Sequence, residues 1–138
     1  MMKVYKNEDV ENVNLFESAL VGISFNHHAT VIEFKVSWLE GYEDEVIDVI
    51  CNNCSDIDFA FKHEGDQLGE LTITGFSYLK KDDASYWIQF DFDFTPKGYI
   101  RLLCSEFLFK VPSSPLQPGG NGHRIPWDAM KKEDPLDY

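Results

Sequence analysis

The chain reads as an all-β domain: an antiparallel sandwich or partly open barrel of about seven strands, β-rich with at most one short N-terminal helix, and with an irregular C-terminal tail. Three observations carry that reading. Apolar and polar residues alternate with a period of two along several segments. The residues between those segments are turn formers. No connection is long enough for the helical crossover that parallel strands need.

The segments follow in order. Residues 8–20 carry Val10, Val13, Phe16 and Leu20 at spacings of three and four, the pattern of a short amphipathic helix or of an irregular lead-in. Residues 19–25 form a less regular apolar run. Residues 30–38 place Ile32, Phe34, Val36 and Trp38 on one face and Glu33, Lys35 and Ser37 on the other, which is a half-buried strand. Residues 45–51 form another apolar run, and 56–62 set Ile57, Phe59 and Phe61 opposite Asp56, Asp58 and Lys62. In 70–79 the apolar phase slips at Gly75, which suggests a bulge. The cleanest alternation is 87–95, with Ile88, Phe90, Phe92 and Phe94 against Gln89, Asp91 and Asp93. A second slip near Ser105 divides Ile100, Leu102 and Cys104 from Phe107, Phe109 and Val111, so that long strand bends or changes partners there. Asn26-His27-His28, Asn52-Asn53, Lys81-Asp82-Asp83 and Pro96-Lys97-Gly98 supply turns. Residues 1–111 thus make one β domain. Residues 112–138 open with a Pro/Gly/Ser stretch that sustains neither helix nor sheet. This tail still holds Ile125, Trp127, Met130 and Leu136, and is expected either to pack across the domain or to order on a partner.

Composition narrows the function. The chain has 138 residues, 43% hydrophobic and 14% aromatic, which is too apolar for disorder and enough for a core without metal or disulfide staples. Twelve Lys and Arg against 24 Asp and Glu give a net charge of −12. Nucleic acid and anionic membrane both demand basic surface, so neither is an expected partner. A basic protein is, although the same charge also serves solubility. The first residues contain no apolar signal region, and no stretch approaches the roughly 20 apolar residues of a membrane span. With three cysteines, an odd number, reduced thiols in a cytoplasm are the expected state.

Candidate chemistry is sparse. Cys51-Asn52-Asn53-Cys54 has the spacing of a zinc knuckle or redox pair, but the second pair a structural zinc site commonly uses is absent, and the motif lies in a β-turn context rather than at a helix start. His27-His28 sits in a hairpin loop, where adjacent side chains diverge. His63 and His123 stand alone. No metal or cofactor is expected, and no nucleophile elbow, phosphate loop or HExxH suggests an enzyme. Glu40-Gly41-Tyr42-Glu43-Asp44-Glu45 is the densest acidic loop and lacks EF-hand spacing. It is expected to be a docking patch, with Tyr42 as apolar anchor, Glu43, Asp44 and Glu45 as charges, and Asp91 and Asp93 contributing. The carboxylate pairs Asp91/Asp93 and Asp56/Asp58 otherwise read as solvated strand faces. A rival site would combine Tyr86, Trp87 and a carboxylate pair to bind, and even hydrolyse, carbohydrate or another small molecule.

The residues His27-His28-Ala29-Thr30-Val31-Ile32-Glu33-Phe34 and Trp87-Ile88-Gln89-Phe90-Asp91-Phe92, leading through Gly98 to residues 100–107, resemble the small all-β immunity proteins encoded beside bacterial polymorphic toxins. The resemblance covers residues 19–111 and omits the tail. It implies no catalytic residues, and a partner that is neutralised by occlusion. Toxin domains that attack nucleic acid are commonly basic and their inhibitors acidic, so the resemblance also implies a basic toxin or effector. The combined expectation is a bacterial-type cytoplasmic inhibitor, monomeric or homodimeric, that binds a basic protein.

Overall fold

The structure is a computed structural model that describes residues 2–38, 45–62, 70–94 and 96–112. Those residues form two antiparallel sheets packed as a sandwich. The first sheet has the order β1 (Lys3–Lys6), β10 (Glu106–Val111), β4 (Val46–Asn52), β3 (Val31–Ser37), β2 (Ala19–Asn26) and β6 (Leu71–Thr72). The second has the order β5 (Ser55–Lys62), β9 (Lys97–Cys104), β8 (Ser85–Phe92) and β7 (Gly75–Asp82). The sandwich expectation holds, and the described sheets do not close into a barrel.

The described strands exceed the expected seven because β1 forms ahead of them and because each of the two phase slips marks a place where one run passes between sheets and becomes two strands. At Ser105 the chain leaves β9 in one sheet and enters β10 in the other, as the slip there implied. The slip at Gly75 is more than a bulge. Ile73 N–H donates to Ser18 O at 2.7 Å in the first sheet's neighbourhood, while Thr74 N–H donates to Asp91 O at 2.8 Å beside the second. Adjacent residues therefore satisfy their backbones on different sheets, and one apolar run becomes β6 and β7. A third passage joins β4 to β5 through Asn53, whose positive φ of 53° Asn tolerates, and Cys54, whose N–H donates to Thr30 O at 2.8 Å. It runs beside the Ser105 passage: Ser105 N–H donates to Asn52 O at 2.9 Å, and Asn53 Nδ2 donates to Ser105 Oγ at 2.9 Å. Two paired strands thus turn a corner together, which is how a sandwich folds without helices.

The N-terminal segment combines a short helix with an irregular lead-in to β2. Only Asn7–Asn12 are helical, as a 3-10 turn, and Val10, Val13 and Leu15 are the residues that bury there. Two carboxylates fasten this turn to the second sheet: Tyr78 donates its hydroxyl to Glu11, and Tyr86 donates its hydroxyl to Glu8.

Alternation places the core where the sequence puts its apolar residues. Ile32, Phe34 and Val36 of β3 face Ile88, Phe90 and Phe92 of β8 across the sandwich, all essentially inaccessible. Phe76 is the hub, with ring centroids 5.0 Å from Phe90, 5.2 Å from Phe109 and 5.9 Å from Phe107. Each such buried ring contributes about 1.5–3 kcal/mol over exposure, and tilted or edge-on pairing adds to it. Trp38, at the end of the β3 alternation, is buried and donates its indole N–H to Asn14 O at 2.9 Å. No helix among the described residues is long and apolar enough to cross a membrane.

Candidate functional site

The feature that sandwich packing leaves unaccounted for is a row of exposed aromatic rings. Phe25 is 51% exposed, Phe59 42% and Phe61 36%. Their strand parity is that of the core: Phe59 stands opposite Ile100 and Phe25 opposite Ile32, both buried. Phe59 and Phe61 are exposed because β5 is the last strand of its sheet, pairing among the described residues only with β9, and Phe25 lies on β2 beyond Ala19 and Leu20, where β6 pairs. The Phe25 and Phe59 rings, 6.2 Å apart, bridge the borders of the two sheets, and Phe61 leans on Phe92 at 5.4 Å. Asp56 and Asp58 flank the row on the same strand and are exposed. Asp56 has a φ of 50° within a register shift that follows Ser55, so the two carboxylates do not form the regular i, i+2 pair expected of a flat strand.

A glycine holds this edge in place. A Cβ at Gly98 would lie 1.8 Å from Ala60 O and 2.8 Å from its carbonyl carbon. Only glycine lets β9 come this close to β5, and hence sets where Phe61, its register partner, stands.

The acidic residues proposed from sequence part company. Tyr42, Glu43 and Asp44 lie outside the described residues. Glu45 is half-buried, and its carbonyl accepts the Trp38 N–H at 3.1 Å. Asp93 is exposed, and one carboxylate oxygen accepts the Thr74 hydroxyl at 3.0 Å. Asp91 is a correction. It is 0% exposed, not on a solvated face, so it offers no surface to a partner. Its carboxylate accepts the Gln89 amide at 2.7 Å, and Gln89 accepts Arg101 Nε at 2.8 Å. The Arg101 guanidinium lies 5.0 Å from the Tyr99 ring. Gln89, Asp91 and Tyr99 are thus buried on the face of β8 and β9 that points away from the core, and the hydrogen bonds of Gln89 to Asp91 and of Arg101 to Gln89 offset part of the cost of desolvation.

The rival carbohydrate pair does not assemble. Tyr86 and Trp87 are neighbours on β8 and therefore face opposite sides of the sheet. Tyr86 is buried against Phe107 at 5.4 Å, while Trp87 is half-exposed with Lys81 Nζ 6.0 Å from its ring. His27 and His28 form the β2–β3 turn together with Ala29, at φ values of 52°, 58° and 66°. Glu33, on the neighbouring strand, pairs with Lys35 Nζ at 2.9 Å, which also reaches Asp48 at 2.7 Å. His63 and His123 lie outside the described residues. Asp82 spends its carboxylate on the β7–β8 turn, accepting Ala84 N–H at 2.8 Å and the Ser85 hydroxyl at 2.9 Å. Among the described residues no group of three or more His, Cys, Asp or Glu has the arrangement to hold a metal ion.

The exposed aromatics escaped the sequence reading because alternation tells which face a residue takes, not whether another sheet covers it. No protein-family model matches this chain, and neither a curated protein nor a solved structure matches it.

Proposed function

We propose that this domain is an acidic, protein-binding inhibitor that neutralises a basic partner by occlusion, and that it acts by binding rather than by catalysis. The observation that carries this reading is the aromatic row along the edge of β5 that has no strand partner among the described residues. An edge strand presents unpaired backbone groups, and natural proteins blunt such edges unless they use them. Here the edge carries Phe59 and Phe61, with Asp56 and Asp58 on the same strand and Phe25 of β2 against Phe59. Apolar anchors rimmed by charge are the anatomy of a binding hot spot. A strand of the partner adding to β5 would satisfy the backbone and bury the rings, while its Lys or Arg side chains meet the two aspartates. The net charge of −12 favours a basic partner and opposes self-association through the same edge. The resemblance to immunity proteins supports the same conclusion, with a basic toxin or effector as the partner and a bacterial cytoplasm as the setting. Glu45 and Asp93, with the acidic loop of Tyr42, Glu43 and Asp44, supply long-range attraction.

The test is capture from the lysate of the native host with the tagged domain and with Phe59→Ser/Phe61→Ser. Both positions are exposed, so the variant keeps the fold, which circular dichroism checks. The expected result is one stoichiometric basic protein held by the domain at low salt, weakened by high salt and lost from the double variant. Equal capture by both forms would remove the β5 edge from the interface, and capture of no basic protein would overturn the reading.

A further inference from the structure

We propose that Cys51, Cys54 and Cys104 form a peroxide-sensitive thiol site at the corner where the chain passes between the sheets, with Cys54 oxidised first and Cys51 resolving it as an intramolecular disulfide. The sequence separates Cys104 from the other two, and the fold reunites them. Phe107 stands opposite Cys51 in the β10–β4 pairing, and Cys104 ends β9 just before the corner. Cys51 and Cys104 lie in the core at 0% and 1% exposure, whereas Cys54 is half-buried and packs against the same cluster. Cys54 Sγ donates to Cys51 O at 3.3 Å, and the Cys51 side chain lies within interaction range of the Cys54 and Cys104 thiols. Cys54 is therefore the member that meets solvent, and Cys51 the buried member that its sulfur reaches first.

The electrostatics assign the same roles. Burial, followed by the hydrogen bonds to Cys104 and Cys54, pushes the Cys51 thiol well up. The hydrogen bond from Cys51 draws Cys54 below its ordinary value against its own burial, with help from the Ile32 backbone. The thiolate is the reactive form, so attack begins at Cys54. Its sulfur displaces hydroxide from hydrogen peroxide, the O–O bond breaks, and a sulfenic acid forms. The hydroxide takes up the proton that Cys54 released and becomes water. The Cys51 sulfur then attacks the sulfenic sulfur, the S–O bond breaks, and hydroxide leaves with the Cys51 proton as a second water. Two thiols lose two electrons and one peroxide gains them. The resulting bond closes a loop over Asn52 and Asn53 and staples the β4–β5 passage.

The full chain is treated with excess hydrogen peroxide, alkylated and digested with trypsin. Cys51 and Cys54 fall on one peptide, between Lys35 and Lys62, and Cys104 on another, between Arg101 and Lys110. The expected product is the first peptide lighter by two hydrogens, restored by a thiol reductant, with Cys104 alkylated. Cys54→Ser, a substitution at a partly exposed position, is expected to slow thiol loss by about tenfold or more. Three results would overturn the assignment: a cross-link between the two peptides forming at an undiminished rate in Cys54→Ser, conversion of Cys54 to sulfinic acid with no disulfide, or no oxidation of the folded chain.

Discussion

Replacing Tyr86 with Phe removes one hydroxyl and leaves the buried ring in place, which isolates the clip that holds the N-terminal 3-10 turn against β8. The hydroxyl donates to Glu8. That bond, then burial, then the Glu8 charge push the Tyr86 phenol from 10.0 to about 12. A change of that size corresponds to about 3 kcal/mol at 1.36 kcal/mol per pKa unit, and a hydrogen bond to a charged group contributes ~1.5–3 kcal/mol by mutation. Glu8 is exposed, so water screens the pair and places the expected loss at about 1–2 kcal/mol. The second clip, Tyr78 to Glu11, keeps the turn docked in the variant. Thermal unfolding at pH 8 should show Tm lower by about 4–8 °C. The pH dependence has a definite sign. The unfolded chain releases the Tyr86 proton near pH 10 and the folded chain holds it until about 12, so this group's stabilisation is complete below pH 10 and lost between 10 and 12. The difference between the parent and Tyr86→Phe should therefore shrink across that window. A double-mutant cycle with Glu8→Ala isolates the pair. A Tm within about 1 °C of the parent, or a difference that stays constant from pH 9 to 12, would refute the reasoning.

Two further substitutions probe the elements that position the edge and the hairpin. Gly98→Ala drives a methyl into the Ala60 carbonyl 1.8 Å away, and should cost about 2–3 kcal/mol or peel the end of β5 from β9. A urea midpoint unchanged from the parent would show that the strands have room to part. Ala29→Gly relieves a left-handed residue at φ 66°, worth about 1–2 kcal/mol, against an entropic cost of about 0.5–1 kcal/mol. The net gain of about 0.5–1 kcal/mol should raise the urea midpoint, and a fall would contradict it.

Much of the architecture was legible in the sequence because a sandwich is specified by alternation, and the alternation of β3 and β8 is nearly uninterrupted. The phase slip near Ser105 marked a bend or a change of partners, and the structure makes it a change of sheet, since a strand that swaps sheets must swap its apolar face. The passage at Ile73 and Thr74 was hidden because both residues are apolar or neutral and each finds its partner in a different sheet. Asp91 misled because a carboxylate on the far face of a strand normally meets water, and only the register of β8 against β9 sets Tyr99 opposite it and Arg101 opposite its neighbour Gln89. Phe59 and Phe61 misled in the other direction. Their period is that of a buried strand, but strand order, which no local pattern encodes, put β5 at the border. The cysteine cluster depends equally on register, because Cys104 meets Cys51 only where β9 gives way to β10. The Tyr86–Glu8 and Tyr78–Glu11 contacts join residues far apart in sequence and leave no periodic trace.

The central claim is that the β5 edge is the docking surface, and hydrogen–deuterium exchange on the domain with and without its captured basic partner tests it most directly. In the complex the amides of β5 on the side away from β9 should exchange markedly more slowly, while those of β7, the opposite border of the same sheet, should not change. Protection confined to other strands, with β5 exchanging as fast as in the free domain, would contradict the account.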